Sequence, residues 1–133
     1  MRKVVSRQQR NQKNNNQALF NTQPALFKQV CVIGLGLIGA SLAQAIKDHG
    51  LSERLVAVDR HAPSIEEAIK QGLLEAGSST LSEVVAGSDL IIIAVPVQAV
   101  QTVFMDIKQE MDSGQLAFDC MITDVCSTKA NII

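Results

Sequence analysis

Residues 30–42 read VCVIGLGLIGASL, and the order of residue types in this stretch decides the fold. The run over 29–33 is mostly apolar and β-branched, which is typical of a strand buried on both faces of a sheet. Three glycines follow at the spacing G-x-G-x-x-G, and apolar residues then recur at helical intervals as far as Leu51. The stretch therefore predicts a strand, a glycine turn and a helix that begins near Leu37.

This order of elements is the fingerprint of a dinucleotide-binding α/β domain. Gly34 would permit the tight turn, Gly36 would let the backbone approach a pyrophosphate, and Gly39 would let the helix pack closely against the strand. At the start of the helix, the backbone around Leu37 and Ile38 would present unpaired N–H groups to the same phosphates. These five residues are therefore predicted to bind the cofactor.

A second apolar run over 55–58 ends in Asp59, which lies 20 residues after Gly39. This is the offset expected for the carboxylate that accepts hydrogen bonds from the adenosine ribose. Its charge favours NAD, because the 2′-phosphate of NADP would meet a like charge. The neighbouring Arg60 leaves NADP possible, since a guanidinium tolerates that phosphate. The alternative is that Asp59 only caps the next helix or holds a turn.

The clearest strand is the continuously apolar run over 89–96, which is typical of the middle of a parallel sheet. Its carboxyl end, at Ala94, Val95 and Pro96, is predicted to border the cofactor. Further helices are predicted from Pro63, over 82–86 and over 97–111, and further strands over 74–76 and 116–123. The whole pattern predicts a Rossmann-type, doubly wound, mainly parallel sheet in a three-layer αβα domain over 29–133.

Composition excludes several classes of partner. The 133 residues are 47% apolar and 19% charged, and no apolar run approaches the roughly 18 residues that span a bilayer. Aromatic residues make up 3%, and segment 29–133 carries 6 basic and 13 acidic side chains, a formal charge of −7. Neither a membrane nor a nucleic acid is therefore expected as a partner.

Residues 1–28 hold six of the 12 basic side chains and no acidic one, among many Gln and Asn residues. Their low apolar content predicts a disordered, polar, basic arm. An organellar transit peptide is the alternative, whereas the missing apolar segment excludes a secretory signal. The three cysteines show no C-x-x-C spacing, which indicates reduced thiols in a cytoplasmic protein. Only two histidines are present, without a carboxylate cluster, so no metal site is predicted.

Four segments follow one another along the chain: VIGLGLIGASL (32–42), VDR (58–60), AVPV (94–97) and TDVCSTK (123–129). Together they resemble the nucleotide-binding domain of prephenate and arogenate dehydrogenases over residues 29–133. The resemblance implies oxidation of prephenate by NAD(P), with loss of carbon dioxide, to 4-hydroxyphenylpyruvate in tyrosine biosynthesis. It leaves prephenate or arogenate as the small-molecule substrate, and it implies that the full-length form is a homodimer.

The resemblance also changes the interpretation of Ser127. By position alone this serine would cap the next helix, but in the family the matching serine lies near the catalytic histidine and the nicotinamide. That histidine belongs to a Gly-x-His-Pro stretch that this chain does not contain, and neither His49 nor His61 is expected to replace it. The chain is therefore expected to be incomplete at its C-terminus, truncated before the helical substrate and dimerisation domain, and to bind cofactor without oxidising prephenate.

Two alternatives stay open. One is a related NAD(P) oxidoreductase, such as a β-hydroxyacid dehydrogenase or an imine reductase, which should lack the DVCSTK segment (124–129). The other is a nucleotide-sensing module without chemistry, which is compatible with the missing histidine.

Overall fold

A computed structural model describes residues 24–125 and contains a five-stranded sheet flanked by helices. The predicted arm up to residue 23 and Ser127 lie outside the described residues. The elements are β1 (Phe27–Ile33), α1 (Leu37–Asp48), β2 (Ser52–Val58), α2 (Ala62–Lys70), β3 (Ala76–Ser78), a 3-10 helix (Leu81–Glu83), β4 (Leu90–Ile93), α3 (Val97–Asp112) and β5 (Met121–Asp124).

The strand order is β3-β2-β1-β4-β5, and every pair is parallel. Ile33, the last residue of β1, pairs with Val58 of β2 on one side and with Ile93 of β4 on the other. Three strands therefore end level with one another, at the carboxyl edge of the sheet. The chain reverses its direction of winding between β1 and β4, and such a switch point is where doubly wound sheets bind ligands.

Successive residues of β1 pack into two different cores. Val30 and Val32 belong to the cluster that α1 and α2 cover, whereas Cys31 and Ile33 belong to the cluster beneath α3 and the 3-10 helix. Because the central strand is buried on both faces, its sequence is apolar without alternation. The predicted three-layer, Rossmann-type fold class is confirmed. None of the helices within 24–125 combines the length and apolarity needed to cross a bilayer.

The sheet differs from the prediction at its margins. β1 begins at Phe27, whose N–H donates to the carbonyl oxygen of Leu51 at 3.1 Å, so residues 27 and 28 belong to the sheet and not to the arm. β5 covers only Met121–Asp124 and not the whole run over 116–123. Its partner β4 offers only four residues for pairing, and Leu116 lies before β5 and is buried in the same cluster as Cys31.

Candidate functional site

A cavity of about 700 Å³ opens at the carboxyl edge of the sheet, beside the switch point. Its volume is in the range of pockets that bind small molecules and cofactors. Most of the residues that the sequence predicts to bind cofactor line it, although they come from three separate segments. These residues are Gly34, Gly36, Asp59, Arg60, Ala94, Val95 and Pro96.

Two of the three motif glycines shape the turn. Gly34 has φ +101°, and a Cβ there would lie 2.5 Å from the carbonyl oxygen of Ala94. A Cβ at Gly39 would collide with the carbonyl oxygen of Gly34, because α1 crosses the turn at this point. Both positions therefore need glycine for the chain to fold in this way, with or without a ligand.

Gly36 differs from both neighbours because nothing lies within 4 Å of the position that its Cβ would take. It is the N-cap of α1, and no side chain of the described residues caps this helix end. Leu37 and Ile38 follow in the first turn, where backbone N–H groups have no acceptor within the helix. Their side chains are exposed, 88% and 45% respectively, and they do not line the cavity. The backbone here forms a cradle that a side chain would fill, which fits a pyrophosphate.

Asp59 holds the glycine turn from the neighbouring strand. Its Oδ2 accepts a hydrogen bond from the N–H of Leu35 at 2.6 Å, and its Oδ1 accepts one from the N–H of His61 at 2.7 Å. Both bonds fit the alternative role, because Leu35 lies in the glycine turn and His61 is the N-cap of α2. Each oxygen retains a second lone pair, and Asp59 can therefore still accept bonds from ribose hydroxyls.

Three polar residues of α3 are among the cavity residues that the sequence did not predict. Gln98, Thr102 and Asp106 line the cavity from α3, and Ser79 and Leu81 line it from the segment after β3. We name the first three the α3 polar stripe. Their spacing of four residues was a usable signal, because it places three polar side chains on one helix face next to the apolar face.

Other reactive groups lie away from the cavity. Neither His49, at the end of α1, nor His61 lines it. Cys31 is fully buried beneath α3, where desolvation first and the nearby Cys120 second raise its thiol pKa to about 12. Cys31 and Cys120 are free thiols. Residues 24–125 contain no cluster of His, Cys, Asp or Glu that could hold a metal ion.

Comparison with known proteins agrees with this geometry. The sequence-family model of the NAD binding domain of 6-phosphogluconate dehydrogenase matches residues 29–131. Prephenate dehydrogenase of Bacillus subtilis is 32% identical over 104 residues, which are 78% of this chain and 27% of that protein. Cyclohexadienyl dehydrogenase of Zymomonas mobilis is 30% identical over 108 residues, which are 81% of this chain and 35% of that protein.

A solved structure supports the fold. Prephenate dehydrogenase from A. aeolicus, in complex with hydroxyphenyl propionate and NAD+, superposes with a TM-score of 0.64 at 22% identity, over 73% of this chain and 32% of that one. This chain thus spans about a third or less of the length of the proteins it resembles. The predicted resemblance and the predicted NAD cofactor are confirmed. The chain belongs to the family of NAD-binding domains typified by that of 6-phosphogluconate dehydrogenase.

Proposed function

We propose that this chain is the NAD(P)-binding domain of an oxidoreductase of the prephenate dehydrogenase type. One observation carries the proposal: a single cavity at the switch point joins the open cradle at Gly36, the carboxylate of Asp59 and the end of β4 at Ala94. These three features fit three parts of a nicotinamide dinucleotide, namely its pyrophosphate, its adenosine ribose and its nicotinamide end.

Each residue has a defined task in this proposal. The N–H groups at the start of α1, near Leu37 and Ile38, hold the pyrophosphate, and Asp59 accepts the ribose hydroxyls. Residues 94–96 border the nicotinamide, which accepts a hydride when the cofactor is bound. β5 ends at Asp124 on the same edge of the sheet, three residues before Ser127. Ser127 stays a predicted active-site residue on the strength of the resemblance.

For the longer protein we propose oxidation of prephenate with loss of carbon dioxide, giving 4-hydroxyphenylpyruvate. Support comes from the relative named prephenate dehydrogenase and from the DVCSTK segment (124–129). Arogenate is the alternative substrate. A homodimer and a cytoplasmic location also stay predictions. Because the family's catalytic histidine is not in this chain, we propose that the chain alone binds cofactor without oxidising substrate.

The first experiment is calorimetric titration of the 133-residue chain with NAD, NADP and ADP-ribose. Gly36→Ala is the most informative variant, because it should change binding without changing the fold. The φ of Gly36 is −70° and the space around it is open, so alanine fits there. Its methyl group occupies the cradle, and we expect affinity for all three ligands to fall about tenfold or more. Ser41→Ala, on the exposed face of the same helix, is the matched control and should change nothing.

Asp59→Ala tests whether Asp59 binds the adenosine ribose. We expect affinity for NAD to fall more than affinity for NADP, because only NADP gains from the lost negative charge. Both should fall somewhat, since Leu35 loses its acceptor. Equal losses of affinity for NAD and NADP would mean that Asp59 holds the turn but does not bind the ribose. If none of the three ligands binds the unaltered chain, the proposed function is wrong, and so is the nucleotide-sensing alternative.

A further inference from the structure

The α3 polar stripe lines a part of the cavity to which the proposed function assigns no part of the cofactor. Gln98, Thr102 and Asp106 recur every four residues and cover about 12 Å of the helix, at 1.5 Å per residue. Within residues 24–125 none of these three side chains forms a hydrogen bond or an ion pair. Their polar atoms are therefore available to a molecule in the cavity.

The geometry of the cavity indicates which part of a cofactor meets this wall, provided that the proposed function holds. With the pyrophosphate at Gly36 and the ribose at Asp59, the base attached to that ribose lies against the rest of the lining, which includes Leu81, Val103 and the α3 polar stripe. Leu81 and Val103 are apolar and suit the faces of a purine ring. The edge of the ring is then directed at polar side chains.

We propose that the α3 polar stripe selects adenine over 6-oxopurine bases, with Asp106 accepting from the exocyclic amino group and Thr102 donating to a ring nitrogen. The chemistry of the two side chains suits adenine, because a carboxylate only accepts hydrogen bonds and a hydroxyl can donate them. A 6-oxopurine presents a carbonyl oxygen in place of the amino group. That oxygen would face the carboxylate of Asp106 without a proton between them, which is repulsive.

The test compares NAD with nicotinamide hypoxanthine dinucleotide, which differs only in the base. Calorimetric titration of the 133-residue chain should give an affinity for NAD about tenfold or more above that for the hypoxanthine analogue. Asp106→Asn should reduce the ratio to about one or reverse it, because an amide can donate to the oxo group. Asp112→Asn removes the same charge from the same helix outside the cavity, and it should keep the original ratio.

Thr102→Val supplies an independent variant of nearly equal volume, and we expect it to weaken binding of NAD a few-fold. Circular dichroism of each variant checks that the fold is intact. Equal affinity of the unaltered chain for the two dinucleotides would overturn the base selection and leave the proposed function standing. So would an effect of Asp106→Asn no larger than that of Asp112→Asn. If NAD itself does not bind, the proposed function and this inference both fail.

Discussion

At both ends of β1 an aspartate carboxylate accepts hydrogen bonds from backbone N–H groups, but the two ends serve different purposes. At the amino end, Asp89 accepts hydrogen bonds from the N–H groups of Lys28 and Gln29, each at 2.9 Å. Beyond the carboxyl end, Asp59 accepts one from the N–H of Leu35 at 2.6 Å. In each case a carboxylate next to a neighbouring strand binds backbone N–H groups at an end of β1 or just beyond it. What differs is how many polar groups around each carboxylate are left for a ligand.

At the amino end the polar groups bond to one another. The two N–H groups on Nε2 of the buried Gln29 side chain share three acceptors, namely the carbonyl oxygens of Val84 and Ala86 and the hydroxyl of Ser88, at 3.2, 3.1 and 2.8 Å. Oε1 of Gln29 accepts from Nε of Arg54 at 3.0 Å. Burying these groups is tolerable because they are paired. This end of the sheet therefore stabilises the fold.

At the carboxyl end, backbone polar groups stay available for a ligand. The space around Gly36 is open, and the first turn of α1 has no side-chain cap from the described residues. The binding edge therefore differs from the amino end in the backbone at the start of α1, which no side chain of the described residues caps, and not in its carboxylate alone. Predictions that separate stability from affinity at the two ends test this directly.

The largest expected effect is on stability at the binding edge itself, for Gly39→Ala. A methyl group there collides with the carbonyl oxygen of Gly34, so α1 must move away from β1. We expect the free energy of unfolding to fall by about 3 kcal/mol or more. Urea unfolding measures this, with Gly36→Ala as the matched change in open space. Equal stabilities of the two variants would show that the motif glycines do not divide into packing and ligand positions.

A somewhat smaller loss is expected at the amino end for Gln29→Leu. The change keeps the volume but removes the partner of the buried Ser88 hydroxyl and of two partly buried carbonyl groups, so the free energy of unfolding should fall by about 2 kcal/mol. Affinity for NAD should stay the same, because Gln29 lies at the opposite edge of the sheet from the cavity. Gln44→Leu is the control, since Gln44 is exposed and bonds only to Asp48 among residues 24–125. A loss of NAD affinity in Gln29→Leu would contradict the division between the two ends.

The sequence predicted the binding end better than the amino end, for a physical reason. The glycine turn and Asp59 follow local rules, in which spacing and residue type fix a strand, a turn and a helix. The network of Gln29 joins residues 25 to 59 positions apart in the chain, and no local pattern indicates such pairs. The short β5 is a similar case, because its length depends on β4 rather than on its own apolar run.

The smallest expected effect is a pH dependence at the amino end, measured with Asp89→Asn. Partial burial alone would raise the pKa of Asp89, but the N–H groups of Gln29 and Lys28 hold it below its ordinary value. A carboxyl whose pKa is lower in the folded state than in the unfolded state stabilises the fold above its unfolded pKa, about 3.9. That contribution disappears as pH falls through the lower, folded value.

We therefore expect Asp89→Asn to lower unfolding free energy by about 1 kcal/mol at neutral pH, and by less as the pH falls below about 4. Urea unfolding at a series of pH values measures both. Asp112→Asn is the control, because Asp112 pairs with Lys108 at the surface, where such a pair contributes little. A deficit that stayed constant into acid would mean that Asp89 acts through shape and not through charge.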